Sequence, residues 1–206
     1  MSERSETERP ADWVVVIPVK PAAHGKSRLQ VPGVGREQLA RAIALDTIEA
    51  AAAVARVIVV TDDPQTAAAA RRLGAEICTD PGDGLDAAVA AGTALAGTDA
   101  HRAALLGDVP ALRPEHLTAA LRDAAAAPRA AVADADGTGT TLVTAAAGTP
   151  WASAFGSGSF ARHLALGCVP LAIPDTSTLR RDVDTAEDLT AASTLGLGRR
   201  TAALLC

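Results

Sequence analysis

Short runs of β-branched or small apolar residues alternate along the chain with longer segments that carry a helical pattern. Residues 14–17 form the first such run, which ends at Pro18, and similar runs follow at residues 57–60 and 103–106. The segments between them have apolar positions at helical spacing over about 10–15 residues. Because strands that alternate with helices form βαβ units, the pattern predicts an α/β domain with a mostly parallel sheet.

Ligands of such sheets bind beyond the carboxyl ends of the strands, near the point where the strand order switches. The segments that directly follow predicted strands are therefore the places to look for chemistry. They are residues 20–28, 61–63, 80–86, 107–108 and 182–184, together with the loop 137–141.

The length of 206 residues favours one domain. We expect a disordered tail at residues 1–11, a domain at 12–198 and a C-terminal tail at 199–206. Hydrophobic residues make up 49% of the chain and charged residues 21%, which is average for globular proteins and excludes wholesale disorder.

The net charge of −5 and the aromatic content of 2% argue against binding to nucleic acids or to a membrane surface. No strongly apolar stretch approaches the roughly 20 residues of a membrane span. The three cysteines are far apart and predict neither a disulfide framework nor a zinc site. With a polar N-terminal segment, these features predict a cytoplasmic protein.

The loop after the first strand is unusually basic. Two of the 19 basic residues are lysines, Lys20 and Lys26, and with Arg28 they place three cations where the phosphates of a nucleotide would lie. Gly25-Lys26-Ser27 looks like the end of a P-loop, but Lys20 stands where that motif needs glycine. The segment predicts an anion-binding loop, with a solvated basic loop as the alternative.

Three aspartates follow predicted strands or extended segments. Asp108 can hold Mg²⁺ through one oxygen, or it can bond its own backbone in the turn before Pro110. Asp182 and Asp184 share one face of an extended segment, and such like charges favour a shared cation. The alternative is that Asp184 caps the last helix, with Glu187 completing a capping box. Together the three carboxylates predict a metal site.

Two segments rich in glycine and hydroxyl residues, at 136–141 and 155–163, allow backbone N–H groups to approach an oxyanion closely. Ordinary hairpin and cap chemistry is the alternative. The four histidines have no mutual spacing that suggests a ligand set. The chain also lacks GxSxG, a catalytic Cys/His signature and GxGxxG after the first strand, which weighs against hydrolases and Rossmann dehydrogenases.

Together these segments resemble the guanylyltransferases that activate phosphoenolpyruvate or 2-phospho-L-lactate in coenzyme F-420 biosynthesis. The resemblance covers about residues 14–197. It rests on the order and separation of Pro-Val-Lys…Gly-Lys-Ser-Arg-Leu, Val-Thr-Asp-Asp, Gly-Asp-Val-Pro-Ala-Leu, Gly-Thr-Gly-Thr-Thr-Leu, Phe-Gly-x-x-Ser-x-x-Arg-His and Asp-Val-Asp-Thr-x-x-Asp-Leu.

The resemblance implies a single-domain, MobA-like nucleotidyltransferase fold of Rossmann-like topology, with a mostly parallel mixed sheet flanked by helices. It implies GTP as donor, a three-carbon phospho-acid as acceptor and Mg²⁺ as cofactor. The implied metal ligands are Asp108, Asp182 and Asp184, and Asp108 is also expected to be catalytic.

The resemblance also implies sites for the two substrates. The acid is expected to bind Thr140, Gly156 and Ser159, and Lys20 is expected to serve substrate phosphate. Lys26 and Arg28 are expected to bind the nucleotide and to assist catalysis, and Asp86 is expected on the nucleotide side. Two positions depart from the family: Asp86 stands where asparagine is usual, and Ala154 where an arginine often precedes Phe-Gly.

The implied reaction joins GMP from GTP to the phosphate of the acid and releases pyrophosphate, and the product would pass to the next enzyme of the pathway. Two alternatives remain open at this stage. One is a nucleotidyltransferase of the same fold for another phosphorylated acceptor. The other is a non-catalytic nucleotide-binding regulator, against which the three carboxylates weigh.

Overall fold

Strands and helices alternate through the first half of the computed structural model, which describes residues 13–20 and 29–205. The elements are β1 (Trp13–Pro18), α1 (Arg36–Ala52), β2 (Arg56–Val60), α2 (Pro64–Arg72), β3 (Glu76–Cys78), α3 (Leu85–Ala96), β4 (His101–Leu105) and α4 (Pro114–Ala124). This confirms the predicted succession of βαβ units.

The second half is less regular. Its elements are β5 (Arg129–Ala133), β6 (Thr140–Ala145), α5 (Ser159–Ala165), β7 (Val169–Pro170), a 3-10 turn (Thr178–Arg180), α6 (Ala186–Ser193) and α7 (Arg199–Ala202). The predicted tail at residues 1–11 lies outside the described residues.

Within the described residues, seven strands form one sheet in the order β3-β2-β1-β4-β6-β5-β7. β6 runs antiparallel to β4 and β5, while the other neighbouring pairs are parallel. The predicted single-domain α/β fold with a mostly parallel mixed sheet is confirmed. Because β6 is antiparallel, its first residue, Thr140, lies at the edge where β5 ends and pairs with Ala133.

Both faces of the central strands are covered, which explains their continuous apolar runs. All six residues of β1 are buried. Val15 and Ile17 belong to the larger core cluster, which includes Ile48 of α1 and Leu117 of α4. The alternate residues of β1 face the other side of the sheet, in the cluster that contains Ala88 of α3.

The start of α2 follows its predicted signals. The Asp63 carboxylate accepts hydrogen bonds from the backbone N–H groups of Gln65 (3.1 Å) and Thr66 (3.2 Å), and Pro64 occupies the first turn. Asp63 also pairs with Arg41 of α1 at 3.4 Å. Its segment therefore stabilises the fold, although it follows a strand.

The residues predicted as a C-terminal tail begin with α7, which packs on α1. The Asp46 carboxylate of α1 accepts hydrogen bonds from the Thr201 N–H (2.7 Å) and from the Arg200 guanidinium (3.2 Å). Arg200 also pairs with Glu49 at 2.6 Å. Because Asp46 is buried, these contacts satisfy a charge inside the fold and attach α7 to the domain.

Among the described residues, no helix combines the length and the apolar character that crossing a membrane requires.

Candidate active site

A cavity of about 550 Å³ opens at the edge of the sheet where β1 and β4 end. β2 and β3 lie on one side of β1 and β4 lies on the other, so the strand order switches between β1 and β4. This is the position at which doubly wound sheets bind their ligands.

One side of the cavity, which we call the carboxylate wall, is formed by Asp108, Asp134, Asp182 and Asp184. The Val183 N–H donates to the Asp108 carbonyl at 2.9 Å, which joins the two segments. Val183 is fully buried in an apolar cluster with Leu39 of α1, and the aspartates on either side of it line the cavity. The predicted alternation of this extended segment is confirmed.

The turn that carries Asp108 is fixed by close backbone packing. A Cβ at Gly107 would lie 3.1 Å from the Pro18 carbonyl oxygen and 3.2 Å from Val19, so glycine lets the turn approach β1. On its other side, the Val109 N–H donates to the Thr47 hydroxyl of α1 at 3.1 Å. The turn therefore holds Asp108 at the end of β4.

The carboxylate wall is under electrostatic stress. Burial raises the pKa of Asp182 to about 7, and the negative charges of Asp108, Asp134 and Asp184 add to this effect. Within residues 13–20 and 29–205, no three His, Cys, Asp or Glu side chains are grouped closely enough to hold a metal ion by themselves. The wall thus concentrates negative charge without being a closed protein cage for an ion.

The start of α6 shows whether Asp184 caps this helix, which was the alternative to its predicted role in a metal site. The cap is Thr185, whose hydroxyl accepts from the Asp188 N–H at 3.2 Å, while the Asp188 carboxylate accepts from the Thr185 N–H at 2.8 Å. The alternative in which Asp184 and Glu187 form the capping box is therefore wrong by one position. Asp184 lines the cavity instead.

A second set of lining residues, which we call the hydroxyl wall, consists of Thr140 and residues 155–159. The Ser159 hydroxyl donates to Thr140 Oγ1 at 3.1 Å. Both side chains are 2% exposed. Gly156, which also lines the cavity, has a φ of 110°, a conformation that favours glycine.

Two residues of α5 hold the loop of this wall from behind. The Arg162 guanidinium donates to the carbonyls of Ala154 (3.1 Å), Phe155 (2.9 Å) and Ser157. His163 Nε2 accepts from the Ala154 N–H at 2.9 Å. Ala154 stands where the family often has arginine, and it contacts Arg162 and His163 through its backbone carbonyl and N–H groups.

Asp86, in the first turn of α3, holds the same loop from the other side. Its carboxylate accepts from the Ser153 hydroxyl at 2.7 Å and from the Phe155 N–H at 3.1 and 3.2 Å. Asp86 is not among the described residues that line the cavity. The contacts show a loop-holding role, and nucleotide binding by Asp86 stays a prediction.

The structure gathers most of the predicted site residues at one cavity, although it does not test their roles. Lys20 is exposed and lies at the end of β1 on the cavity. Lys26 and Arg28 lie outside the described residues. The predicted residues that line the cavity are Lys20, Asp108, Thr140, Gly156, Ser159, Asp182 and Asp184.

Sequence reasoning missed Asp134 and His163. Asp134 directly follows β5, so the strand-end rule applied to the other aspartates would have found it. Its carboxylate also accepts from the N–H groups of Thr138 (3.0 Å) and Gly139 (2.8 Å). His163 ends the motif Phe-Gly-x-x-Ser-x-x-Arg-His, but its spacing from the other histidines gave no signal for a role.

Solved structures show the same fold at low sequence identity. A nucleotidyl transferase from Methanothermobacter thermautotroptrophicus matches with a TM-score of 0.60 and 19% identity over 90% of this chain and 98% of that one. A Mycobacterium tuberculosis protein solved in complex with manganese matches with a TM-score of 0.52 and 19% identity over 87% of this chain and 96% of that one.

Sequence relatives are much more similar. A phosphoenolpyruvate guanylyltransferase from Thermomonospora curvata is 51% identical over 97% of this chain and 92% of that protein. One from Geodermatophilus obscurus is 50% identical over 94% of each chain. The family model described as "Guanylyl transferase CofC like" matches residues 13–205. The chain therefore belongs to the CofC-like guanylyl transferases, a family of nucleotidyltransferase enzymes.

Proposed function

We propose that this protein transfers GMP from GTP to the phosphate of a three-carbon phospho-acid, phosphoenolpyruvate or 2-phospho-L-lactate, and releases pyrophosphate. The observation that carries the proposal is one cavity, at the switch point of the sheet, that is lined by both the carboxylate wall and the hydroxyl wall. Relatives named phosphoenolpyruvate guanylyltransferase support the choice of donor and acceptor.

The proposed reaction is an in-line displacement. A phosphate oxygen of the acid forms a bond to the α-phosphorus of GTP, and the bond from that phosphorus to the bridging oxygen of the β-phosphate breaks. Because the attacking oxygen is already ionised at neutral pH, the enzyme needs no general base. Catalysis then consists of positioning two anions and neutralising their charge.

The hydroxyl wall is proposed to bind the acid. Ser159 donates its hydrogen to Thr140, so the Thr140 hydroxyl can donate to an anionic oxygen, and the glycine at position 156 lets a ligand approach the backbone closely. These groups are uncharged, so they orient the acid without attracting every anion in solution. In this proposal the acceptor phosphate binds in the cavity that both walls line.

Cationic side chains are proposed to serve the triphosphate. Lys20 lies at the end of β1 and reaches the cavity as a point charge. We assign Lys26 and Arg28 to the same phosphates on the basis of the family resemblance. In this role they offset the charge that builds on the leaving pyrophosphate.

The carboxylate wall fits a divalent cation. Hard oxygen donors suit Mg²⁺, and the charge that raises the pKa of Asp182 would be offset by a cation. Asp108, Asp182 and Asp184 would hold the ion, which supplies charge stabilisation at the transferring phosphate when bound. An open group of carboxylates is what Mg²⁺ uses when substrate phosphates complete its coordination. We include Mg²⁺ in the proposal on these grounds.

The proposal can be tested by measuring pyrophosphate release. The purified protein is incubated with Mg²⁺, GTP and one acid at a time: phosphoenolpyruvate, 2-phospho-L-lactate or 3-phosphoglycerate. We expect release that depends on both an acid and the metal. Parallel reactions with ATP and CTP measure the base preference.

A reaction without acid controls for GTP hydrolysis, and the Asp108→Asn variant controls for a contaminating enzyme. If pyrophosphate were released only with a different phosphorylated acceptor, the proposed acceptor would be wrong, but the protein would still be a nucleotidyltransferase. No release with any acceptor would contradict the proposal and favour a regulator that only binds nucleotides.

A further inference from the structure

His163 of α5 is a fully buried histidine with a polar partner at each ring nitrogen. Its Nδ1 lies 3.0 Å from Thr140 Oγ1, and its Nε2 lies 2.9 Å from the Ala154 backbone nitrogen. The Phe155 ring packs edge-on against the imidazole, with ring centroids 5.0 Å apart. The contacts hold the imidazole directly behind the hydroxyl wall.

The contact with Ala154 determines which nitrogen of His163 carries the proton. A backbone N–H can only donate, so Nε2 must accept and is unprotonated. A neutral imidazole then carries its proton on Nδ1 and donates it to Thr140. Burial lowers the pKa of His163, which also keeps the ring neutral.

This donation determines what the hydroxyl wall can offer to a ligand. Thr140 and Ser159 have two hydroxyl hydrogens between them, and one is used in their mutual hydrogen bond. If His163 donates to Thr140, the second hydrogen remains available to the cavity. If His163 accepted from Thr140 instead, and Ser159 kept its bond to Thr140, no hydroxyl hydrogen would remain.

Within residues 13–20 and 29–205, His163 and Ser159 are the hydrogen-bond partners of Thr140 Oγ1. The oxygen therefore accepts two hydrogen bonds, which fills its lone pairs, and its own hydrogen is left to donate. Thr140 lines the cavity, so that hydrogen is available to an anionic oxygen bound there.

We propose that His163 is a positioning residue that fixes the Thr140 hydroxyl as a hydrogen-bond donor toward the acid. His163 touches neither substrate; it acts through the hydroxyl of Thr140. This inference rests on the proposed function, because it assigns the acid to the hydroxyl wall. It also explains why a polar ring is kept in a buried position.

Two substitutions separate the two contacts of the ring. His163→Asn can place an amide N–H where Nδ1 stands, so it keeps the donation to Thr140 and loses the contact with Ala154. His163→Gln can place an amide oxygen where Nε2 stands, so it keeps the contact with Ala154 and loses the donation. If His163 only holds the loop, His163→Gln should keep the KM for the acid closer to that of the wild type. If His163 has the proposed role, His163→Asn should do so.

The kinetic experiment measures KM for the acid and for GTP in both variants. We expect His163→Gln to raise KM for the acid roughly tenfold or more, as for a lost hydrogen bond to a charged group. KM for GTP should change little, and His163→Asn should lie closer to the wild type. His116→Gln is the matched control, since His116 also contacts a threonine hydroxyl, at 2.9 Å, but does not line the cavity.

Thr140→Val tests whether both residues act through one hydroxyl. It keeps the shape of the side chain and removes the donor. We expect the double variant of His163→Gln and Thr140→Val to bind the acid no more weakly than Thr140→Val alone. Additive losses would overturn the proposed path through Thr140.

A measurement without turnover separates this inference from the proposed function. The ¹⁵N shifts of the His163 ring, assigned by comparison with His163→Gln, report which nitrogen is protonated. We expect a protonated Nδ1 and an unprotonated Nε2. The opposite tautomer, or an acid KM that is lower in Gln than in Asn, would overturn the inference. If the wild type releases no pyrophosphate, the proposed function is contradicted. The ¹⁵N shifts would still show whether His163 donates to Thr140.

Discussion

The two walls of the cavity are built on opposite principles. The hydroxyl wall is neutral and held from behind: Arg162 and His163 of α5 and Asp86 of α3 contact its loop through a set of hydrogen bonds. The carboxylate wall gathers like charges, and burial, together with these charges, raises the pKa of Asp182 to about 7. One wall is neutral and held by hydrogen bonds, whereas the other brings four carboxylates to one cavity.

This difference indicates that the two walls have different roles in binding. The neutral wall is preorganised, so binding the acid costs little reordering. The charged wall concentrates negative charge that a divalent cation can offset. Stability given up at such a site is a common cost of function. Substitutions on the two walls should therefore have opposite effects on the stability of the free protein.

The largest effect is expected on the carboxylate wall. Asp182→Asn should lower kcat by roughly 10²- to 10³-fold, because charge stabilisation by a metal is worth several kcal/mol and each 1.4 kcal/mol is about a factor of ten. Asp123→Asn, an exposed aspartate on α4, is the control. An unchanged kcat in Asp182→Asn would contradict the proposal that the metal binds at the carboxylate wall.

A smaller effect is expected when the support of the hydroxyl wall is weakened. Arg162→Lys keeps the positive charge but loses the planar fork that reaches several carbonyls, so we expect KM for the acid to rise roughly tenfold. Arg122→Lys on α4 serves as the matched control. A larger rise for GTP than for the acid would reverse our assignment of the walls.

Asp86 should show an effect of a few-fold that depends on the replacement. Through Oδ1, Asp86 accepts from Ser153 and Phe155, and an asparagine oxygen can keep both contacts. We therefore expect Asp86→Asn to stay close to the wild type, and Asp86→Ala to raise KM for the acid about three- to fivefold. If Asp86→Ala raised KM for GTP instead, the predicted contact of Asp86 with the nucleotide would gain support.

The smallest effect is a gain in stability. Without metal at pH 8, Asp182→Asn removes one charge from a group of four carboxylates, and we expect about 1 kcal/mol of stabilisation, or a Tm higher by about 2–4 °C. Thermal denaturation with and without Mg²⁺ and GTP measures this. The ligands should stabilise the wild type more than the variant, and a variant less stable than the metal-free wild type would contradict the charge repulsion.

Local patterns predicted the part of the structure that depends on local signals. The buried strand at residues 14–17 and the cap at Asp63 follow from apolar runs and helix-start chemistry. The rule that ligands bind at strand ends also selected Asp108 and Asp182, because it needs only the order of the elements.

Contacts between residues that are distant in the sequence were not predictable in this way. α7 is attached through a buried Asp46 some 155 positions away, and nothing near Thr201 signals that partner. The role of His163 depends on Thr140 of β6 and on Ala154 in the loop before α5. Asp134 was not predicted as a site residue, although it follows β5 and the rule that selected Asp108 applies to it as well.

The central claim is that GMP is transferred to the acid's phosphate, and ³¹P NMR of the reaction mixture tests it most directly. With GTP, Mg²⁺ and phosphoenolpyruvate, the account predicts pyrophosphate together with two mutually coupled new phosphorus signals from a diphosphate bridge between the acid and GMP. Pyrophosphate with free GMP and unchanged phosphoenolpyruvate would show hydrolysis in place of transfer and would contradict the account.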